Sequence, residues 1–260
     1  MSDEEKTEIE LEIAHVLFID AVGYSKLSIN QQRELFGQLN RVVRATPQFR
    51  TAEAAGKLIR LPTGDGMALV FSEDPQAPAR CAIEIARAAK ADSRLPLRMG
   101  IHSGPVSRVV DVNDQSNAAG AGINIAQRVM SCGDSGHILL SKRVSDDLAE
   151  HSYWRPHLHD LGECEVKHGI RIGLVNLYMD DVGNSRLPAR LQEITLGRLR
   201  LARKNRRNIL FAASIAIAIS LAIFFLWKWF GGWSGREKSI AVLPFKNMGD
   251  NVENAAITDG

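Results

Sequence analysis

A chain of 260 residues, 45% hydrophobic and 24% charged, has a globular composition and room for one large domain or two small ones. The formal net charge is +2, but Arg198, Arg200, Arg203, Lys204, Arg206 and Arg207 crowd into one stretch, so the rest is mildly acidic. That placement argues against a nucleic-acid surface spread over the fold, and no nucleic-acid partner is expected; it has the form of a charge cluster flanking a membrane.

The acidic start, residues 1–12, has neither the basic opening nor the apolar core of a secretory signal, so the first domain is expected in the cytoplasm. From residue 13 to 180 short apolar runs alternate with amphipathic stretches. His15–Ile19 reads as a buried strand. Ile29 to Ala45 has Leu35, Leu39, Val42 and Val43 on one helical face. Lys57–Leu61 and Met67–Phe71 flank a tight turn and predict a hairpin. Pro78–Ala91 is expected to be helical, Leu97–Ile101 and Pro105–Val112 to be two strands, and Gly122–Met130 a helix. His137–Ser141, Val144–Glu150 and Arg171–Tyr178 read as strand, helix and strand. The order is that of an α+β, ferredoxin-like (βαββαβ) sandwich with additions.

Residues 181–208 form a basic juxtamembrane linker in which Leu187, Leu191, Leu196, Leu199 and Leu201 suit an amphipathic helix. Ile209 to Phe230 predicts a transmembrane helix, because Ile209–Leu226 is free of charge and roughly 20 residues cross a bilayer core. Trp227, Trp229 and Trp233 suit an aromatic belt, and the arginines before the span predict a cytoplasmic N-terminal domain. The expected location is the cell inner membrane, in single-pass form. Cys81, Cys132 and Cys164 are too widely spaced for a structural zinc site and read as reduced thiols.

Two aspartates carry the chemistry. Asp20 ends an apolar strand, and Asp65 sits in a Thr-Gly-Asp-Gly turn between two more. Two carboxylates on neighbouring strands suit divalent cations that share ligands with phosphates. Gly23, Gly64 and Gly66 permit tight turns beside them.

Phe18–Leu27 (FIDAVGYSKL) and Leu61–Phe71 (LPTGDGMALVF) resemble the two metal motifs of the class III adenylate and guanylate cyclases. Arg98–Val106 (RMGIHSGPV), Gly122–Val129 (GINIAQRV) and Leu161–Ile172 (LGECEVKHGIRI) resemble, in order, the family's glycine-rich strand, transition-state helix and C-terminal hairpin. The resemblance spans Ile13 to Tyr178. It implies that Asp20, Asp65 and the Ile19 carbonyl hold two Mg²⁺ or Mn²⁺ ions. It implies that Asn124 orients the ribose, that Arg128 neutralises the α-phosphate, and that Lys167 contacts the triphosphate. It also implies a homodimer in which the aspartates of one chain meet the Asn and Arg of the other. A nucleoside triphosphate, ATP first, is the implied substrate.

The base-facing positions depart from the family. Leu61 stands where adenylate cyclases usually carry Lys, and Asn117 where they carry Asp or Thr. GTP or a pyrimidine nucleotide, as in antiphage-type cyclic CMP and UMP synthesis, therefore stays open, as does a catalytically silent regulatory domain. The segment Ser107–Ser116 lacks the family's usual glycine-rich turn. Residues 231–260 resemble the start of a TolB-like region.

Overall fold

The computed structural model describes residues 11–92, 95–110, 116–166 and 169–230. Lys167, the tail from residue 231 and nearly all of the acidic start lie outside the described residues. The chain divides into two compact units, Met1–Leu199 and Arg200–Gly260.

The first unit opens with strand β1 (Leu11–Ala21), followed by helices α1 (Ile29–Ala45) and α2 (Pro47–Ala54). Gln31 Oε1 accepts from the Ser28 backbone N–H (3.0 Å) and hydroxyl (2.8 Å) at the start of α1, which satisfies an N–H that the helix leaves without a partner. α2 went unseen in the sequence because it is short and buries only Phe49 and Ala52, although Pro47 occupies a favoured first-turn position. The hairpin β2 (Leu58–Pro62) and β3 (Gly66–Phe71) comes next, then α3 (Ala77–Asp92) and β4 (Leu97–Val110). β5 (Ser116–Ala119), α4 (Ala121–Met130), β6 (Ile138–Ser141), α5 (Lys142–Ala149), β7 (Leu158–Glu165) and β8 (Arg171–Leu177) complete the unit's strands.

Among the described residues the sheet has eight strands in the order β2-β3-β1-β4-β6-β8-β7, with β5 paired to β4. The first four strands, β2-β3-β1-β4, are antiparallel throughout, which is the ferredoxin-like order expected. The two strands expected at Leu97–Ile101 and Pro105–Val112 are one continuous β4, paired with β1 along Leu97–Ser107. Pro105 falls between the stretch of β4 paired with β6 (99–101) and that paired with β5 (107–110). One edge of β4 has no described partner there, and a proline is tolerated at such an edge.

The sheet has two unlike faces. Leu17, Ile19, Leu69, Met99 and Ile101 point to one face and pack with Leu39, Val43, Phe49, Ile83, Ile85 and Leu148 from α1, α2, α3 and α5. Val16, Phe18, Ala68, Val70 and Val106 point to the other and meet Ala126 and Met130 of α4. The strand period of two separates the sets residue by residue.

α4 lies almost directly on backbone. A Cβ on Gly100 would stand 2.3 Å from the Met130 nitrogen, and one on Gly104 would stand 3.1 Å from the Gly122 Cα. These glycines are the physical content of the RMGIHSGPV strand. His102, between them, has Nδ1 2.8 Å from Ser141 Oγ, and burial pushes its pKa down to about 4. It is therefore neutral beneath the helix at neutral pH.

Helix α6 (Ala189–Phe230) starts twenty residues before the predicted span. In the second unit, residues Arg207–Phe230 have a mean hydropathy of 2.8 and none of that window is buried. By length and composition this helix can cross a membrane.

Candidate active site

Asp20 is the last polar position of β1 and lies in register with Gly66 of β3 on one side and Arg98 of β4 on the other. The hairpin reaches it closely. The Asp65 carbonyl accepts the Ala21 N–H (3.2 Å), and Thr63 and Gly66 close the turn with a 3.1 Å backbone bond. A Cβ on Gly66 would fall 1.9 Å from the Ile19 carbonyl oxygen, so only glycine allows this approach. Gly64, at φ +83°, supplies the left-handed residue of the turn.

The two carboxyl groups face each other. Asp20 is 4% exposed, and its pKa is raised above the ordinary carboxylate value. Burial is the main cause; Arg98 opposes it, while the Asp65 carboxyl adds to it by hydrogen bonding and by like charge. Arg98 Nε donates to Asp20 Oδ2 at 2.7 Å, and Nη2 is also 2.7 Å from that oxygen. Arg98 thus supplies a cation to a carboxylate that is otherwise costly to ionise in this position.

Asn124, Gln127, Arg128 and Ser131 recur at three- and four-residue steps and line the same concavity as Asp20 and Asp65. The concavity measures about 490 Å³, within the usual range for small-molecule sites. Thr63 also lines it; its hydroxyl oxygen is buried and has no hydrogen-bond partner among the described residues. Such an orphaned group fits a polar ligand. Arg98, Arg128 and Arg190 set three guanidiniums against two carboxylates, a charge balance suited to a phosphorylated ligand with accompanying cations.

Among the described residues no group of three or more His, Cys, Asp or Glu side chains comes together. Two hard oxygen donors alone do not cage a cation, but they fit one whose remaining ligands are phosphate oxygens and water. The residues present therefore fit a divalent cation bound together with a phosphorylated ligand.

The other expected residues are placed differently. The Ile19 side chain is fully buried, and its carbonyl oxygen lies against the Gly66 backbone. Leu61 is half-buried against the cluster under α4 and does not line the concavity. Asn117 is on β5, where its Oδ1 accepts the Ala118 N–H (2.8 Å), and it too is absent from the lining. Cys81, Cys132 and Cys164 are buried free thiols. Arg98, Thr63, Gln127 and Arg190 had no role in the sequence reading. Arg98 lay inside a quoted motif, and Gln127 is one helical step from Asn124.

Residues 77–179 match the Adenylate and Guanylate cyclase catalytic domain family. The domain is a class III cyclase catalytic domain. The match begins after Asp20 and Asp65 and includes Asn124 and Arg128. A putative adenylate cyclase 3 of Rhizobium meliloti (strain 1021) is 27% identical over 172 residues, covering 63% of this chain. The chain spans 27% of that relative's length. The adenylyl cyclase CyaB from P. aeruginosa has this fold, with a TM-score of 0.54, 20% identity, and coverage of 68% of this chain and 100% of that one. An adenylate/guanylate cyclase/hydrolase from Silicibacter pomeroyi gives a TM-score of 0.51 at 26% identity, covering 66% of this chain and all of its own. In the cyclase domain of the present chain, the two aspartates and the Asn–Arg helix border one concavity of a single protomer. The resemblance in the sequence implies that the aspartates of one chain meet the Asn–Arg pair of a partner.

Proposed function

We propose that the chain is a membrane-anchored nucleotidyl cyclase that turns a nucleoside triphosphate, ATP first, into a 3′,5′-cyclic nucleotide and pyrophosphate. The observation that carries this reading is the Asp20–Asp65 carboxyl pair bordering a concavity shared with Asn124 and Arg128.

The reaction is internal to the substrate. The ribose 3′-oxygen forms a bond to the α-phosphorus as the bond to the bridging oxygen breaks. Pyrophosphate leaves with the electron pair, and the 3′-hydroxyl proton passes to solvent. Two Mg²⁺ or Mn²⁺ ions, held by Asp20, Asp65 and the Ile19 carbonyl with phosphate oxygens, would activate the attacking oxygen and offset charge on the leaving one. Arg98 favours the ionised form of Asp20. Asn124 holds the ribose, and Arg128 offsets charge gathering on the α-phosphate, a contact whose loss typically costs on the order of 10²–10³ in kcat. Lys167 is assigned to the triphosphate. Catalysis is then positioning and charge stabilisation, with no covalent enzyme intermediate.

The acting form is a homodimer with two composite sites, in which Leu61 and Asn117 face the base. Leu61 offers the base no hydrogen bond, which favours a second reading in which GTP or a pyrimidine nucleotide is used. A silent nucleotide-binding regulator leaves the co-occurrence of Asp20, Asp65, Asn124 and Arg128 without purpose. The apolar helix Arg207–Phe230 and the arginines before it support a single pass through the inner membrane with the cyclase domain in the cytoplasm.

The test is product formation from ATP, GTP, CTP and UTP in parallel, with Mg²⁺ or Mn²⁺. One triphosphate gives its cyclic product; none from any of the four overturns the enzymatic reading. Asp65→Ala and Arg128→Ala, each inactive alone, regain activity when mixed. No recovery on mixing overturns the composite site and leaves each protomer's own concavity as the site.

A further inference from the structure

One lining residue of the concavity lies outside both the motifs and the matched region. Arg190 stands in the first turn of α6, beyond the last matched residue, 179. Its position is fixed by its neighbours. Arg190 Nη2 donates to the Glu165 carbonyl at the end of β7 (2.9 Å), and Val166, next along, also lines the concavity. Leu191 is 4% exposed and packs with Val129 of α4, Cys164 of β7 and Leu174 of β8. The Ala189 N–H donates to Asp134 Oδ2 (2.8 Å), and the Leu191 N–H to the Pro188 carbonyl (2.9 Å). The preceding segment is tied down as well, through His137 Nε2 to the Arg186 carbonyl (2.8 Å).

A guanidinium has five N–H donors, and one of these goes to Glu165. Among the described residues Arg190 forms no ion pair, and neither does Arg128, whereas Arg98 is committed to Asp20. Among the described residues the concavity therefore holds two guanidiniums in no ion pair, beside a pair of carboxylates suited to divalent ions. A planar guanidinium fork matches phosphate oxygens bidentately, which a point charge does not.

We propose that Arg190 binds the diphosphate portion of the substrate, so that the helix leading out of the cyclase domain supplies part of its nucleotide site. This rests on the triphosphate reading above, but its test does not need turnover. The full chain in detergent micelles with Mg²⁺ is titrated with inorganic pyrophosphate by calorimetry, for wild type, Arg190→Ala, Arg190→Gln and Arg190→Lys. The expected result is binding weakened on the order of tenfold or more in the alanine and glutamine variants and partly recovered by lysine, as for loss of a charge-assisted contact. Thermal midpoints stay unchanged, and KM for the triphosphate rises more than kcat falls. Glutamine keeps a donor for the Glu165 carbonyl and so answers for an alanine variant that folds poorly. Wild type that does not bind pyrophosphate, or glutamine-variant binding within twofold of wild type, overturns the proposal. Arg190-dependent binding without cyclic product from any triphosphate would sink the cyclase reading alone. Cyclic product with KM untouched in the glutamine variant would sink this one alone.

Discussion

The two faces of the sheet are made by the same strands and serve opposite ends. Under α1, α2, α3 and α5 the strands present Leu17, Ile19, Leu69 and Ile101, large side chains filling a closed core. Under α4 they present a smaller apolar patch, Val16, Phe18, Ala68 and Val70, interrupted by Gly100 and Gly104 and bordered by Asp20, Arg98 and His102. Along β1 a single step from Ile19 to Asp20 passes from one regime to the other. Volume is conserved on the first face because packing supplies the stability. It is surrendered on the second so that backbone, carboxylates and a helix can meet at close range. Changes on the two faces should therefore fail in different assays.

The largest expected effect contrasts them directly. Asp65→Ala is exposed enough to leave the fold intact, yet it removes one of two cation-binding carboxylates; product formation is expected to fall by about 10³-fold or more with the thermal midpoint within a few degrees of wild type. Leu17→Ala, on the closed face, is expected to cost about 2–5 kcal/mol in denaturant titrations while the folded fraction keeps its kcat. A Leu17→Ala enzyme with wild-type stability and lost turnover would erase the distinction between the faces.

A smaller effect concerns Asp20. Its folded pKa is raised above the unfolded value, near 3.9 for an ordinary aspartate. The folded state thus holds the proton more tightly than the unfolded one. The stability this contributes is complete below the unfolded value and is lost as pH rises through the raised folded value. In chelator, Asp20→Asn should lose less stability than wild type over that window, and Mg²⁺ should narrow the gap by binding wild type. Parallel melting curves from acid to neutral pH check this; a wild type that gains stability relative to Asp20→Asn over the window contradicts it.

The smallest effect tests where the site is completed. Asn117 lies outside the concavity of its own protomer, so Asn117→Ala should act only across a dimer. A shift of about fivefold in the ratio of ATP to GTP turnover, the scale of one hydrogen bond, is expected with the summed rate little changed. An unaltered ratio confines base reading to one protomer.

What the sequence disclosed depended on distance along the chain. Asp20 and Asp65 were legible because each sits in its own strand-and-turn context within a few residues. Asn124 and Arg128 were legible through the resemblance of Gly122–Val129 to the family's transition-state helix, with their four-residue spacing placing them on one face. Arg98 was quoted but given no task, since its bond to Asp20 joins residues 78 apart and needs the β1–β4 register to be known. Arg190 lies farther still and belongs to no motif. α2 was too short for periodicity to register, and Pro105 read as a strand break, whereas β4 runs through it at a point where one edge has no partner among the described residues. The βαββαβ order itself was readable from alternation, whereas the close approach of α4 to Gly100 and Gly104 needed the fold.

The glycine seam between β4 and α4 has a mechanical consequence. Where Gly100 and Gly104 let helix and strand backbones touch, little side-chain layer is left in which the helix can tilt or slide by degrees. Asn124, Arg128 and Arg98 are carried on what amounts to one girder, and displacing any of them displaces all three. Control of such an apparatus comes as assembly or disassembly of the whole, an on–off latch in place of a dimmer.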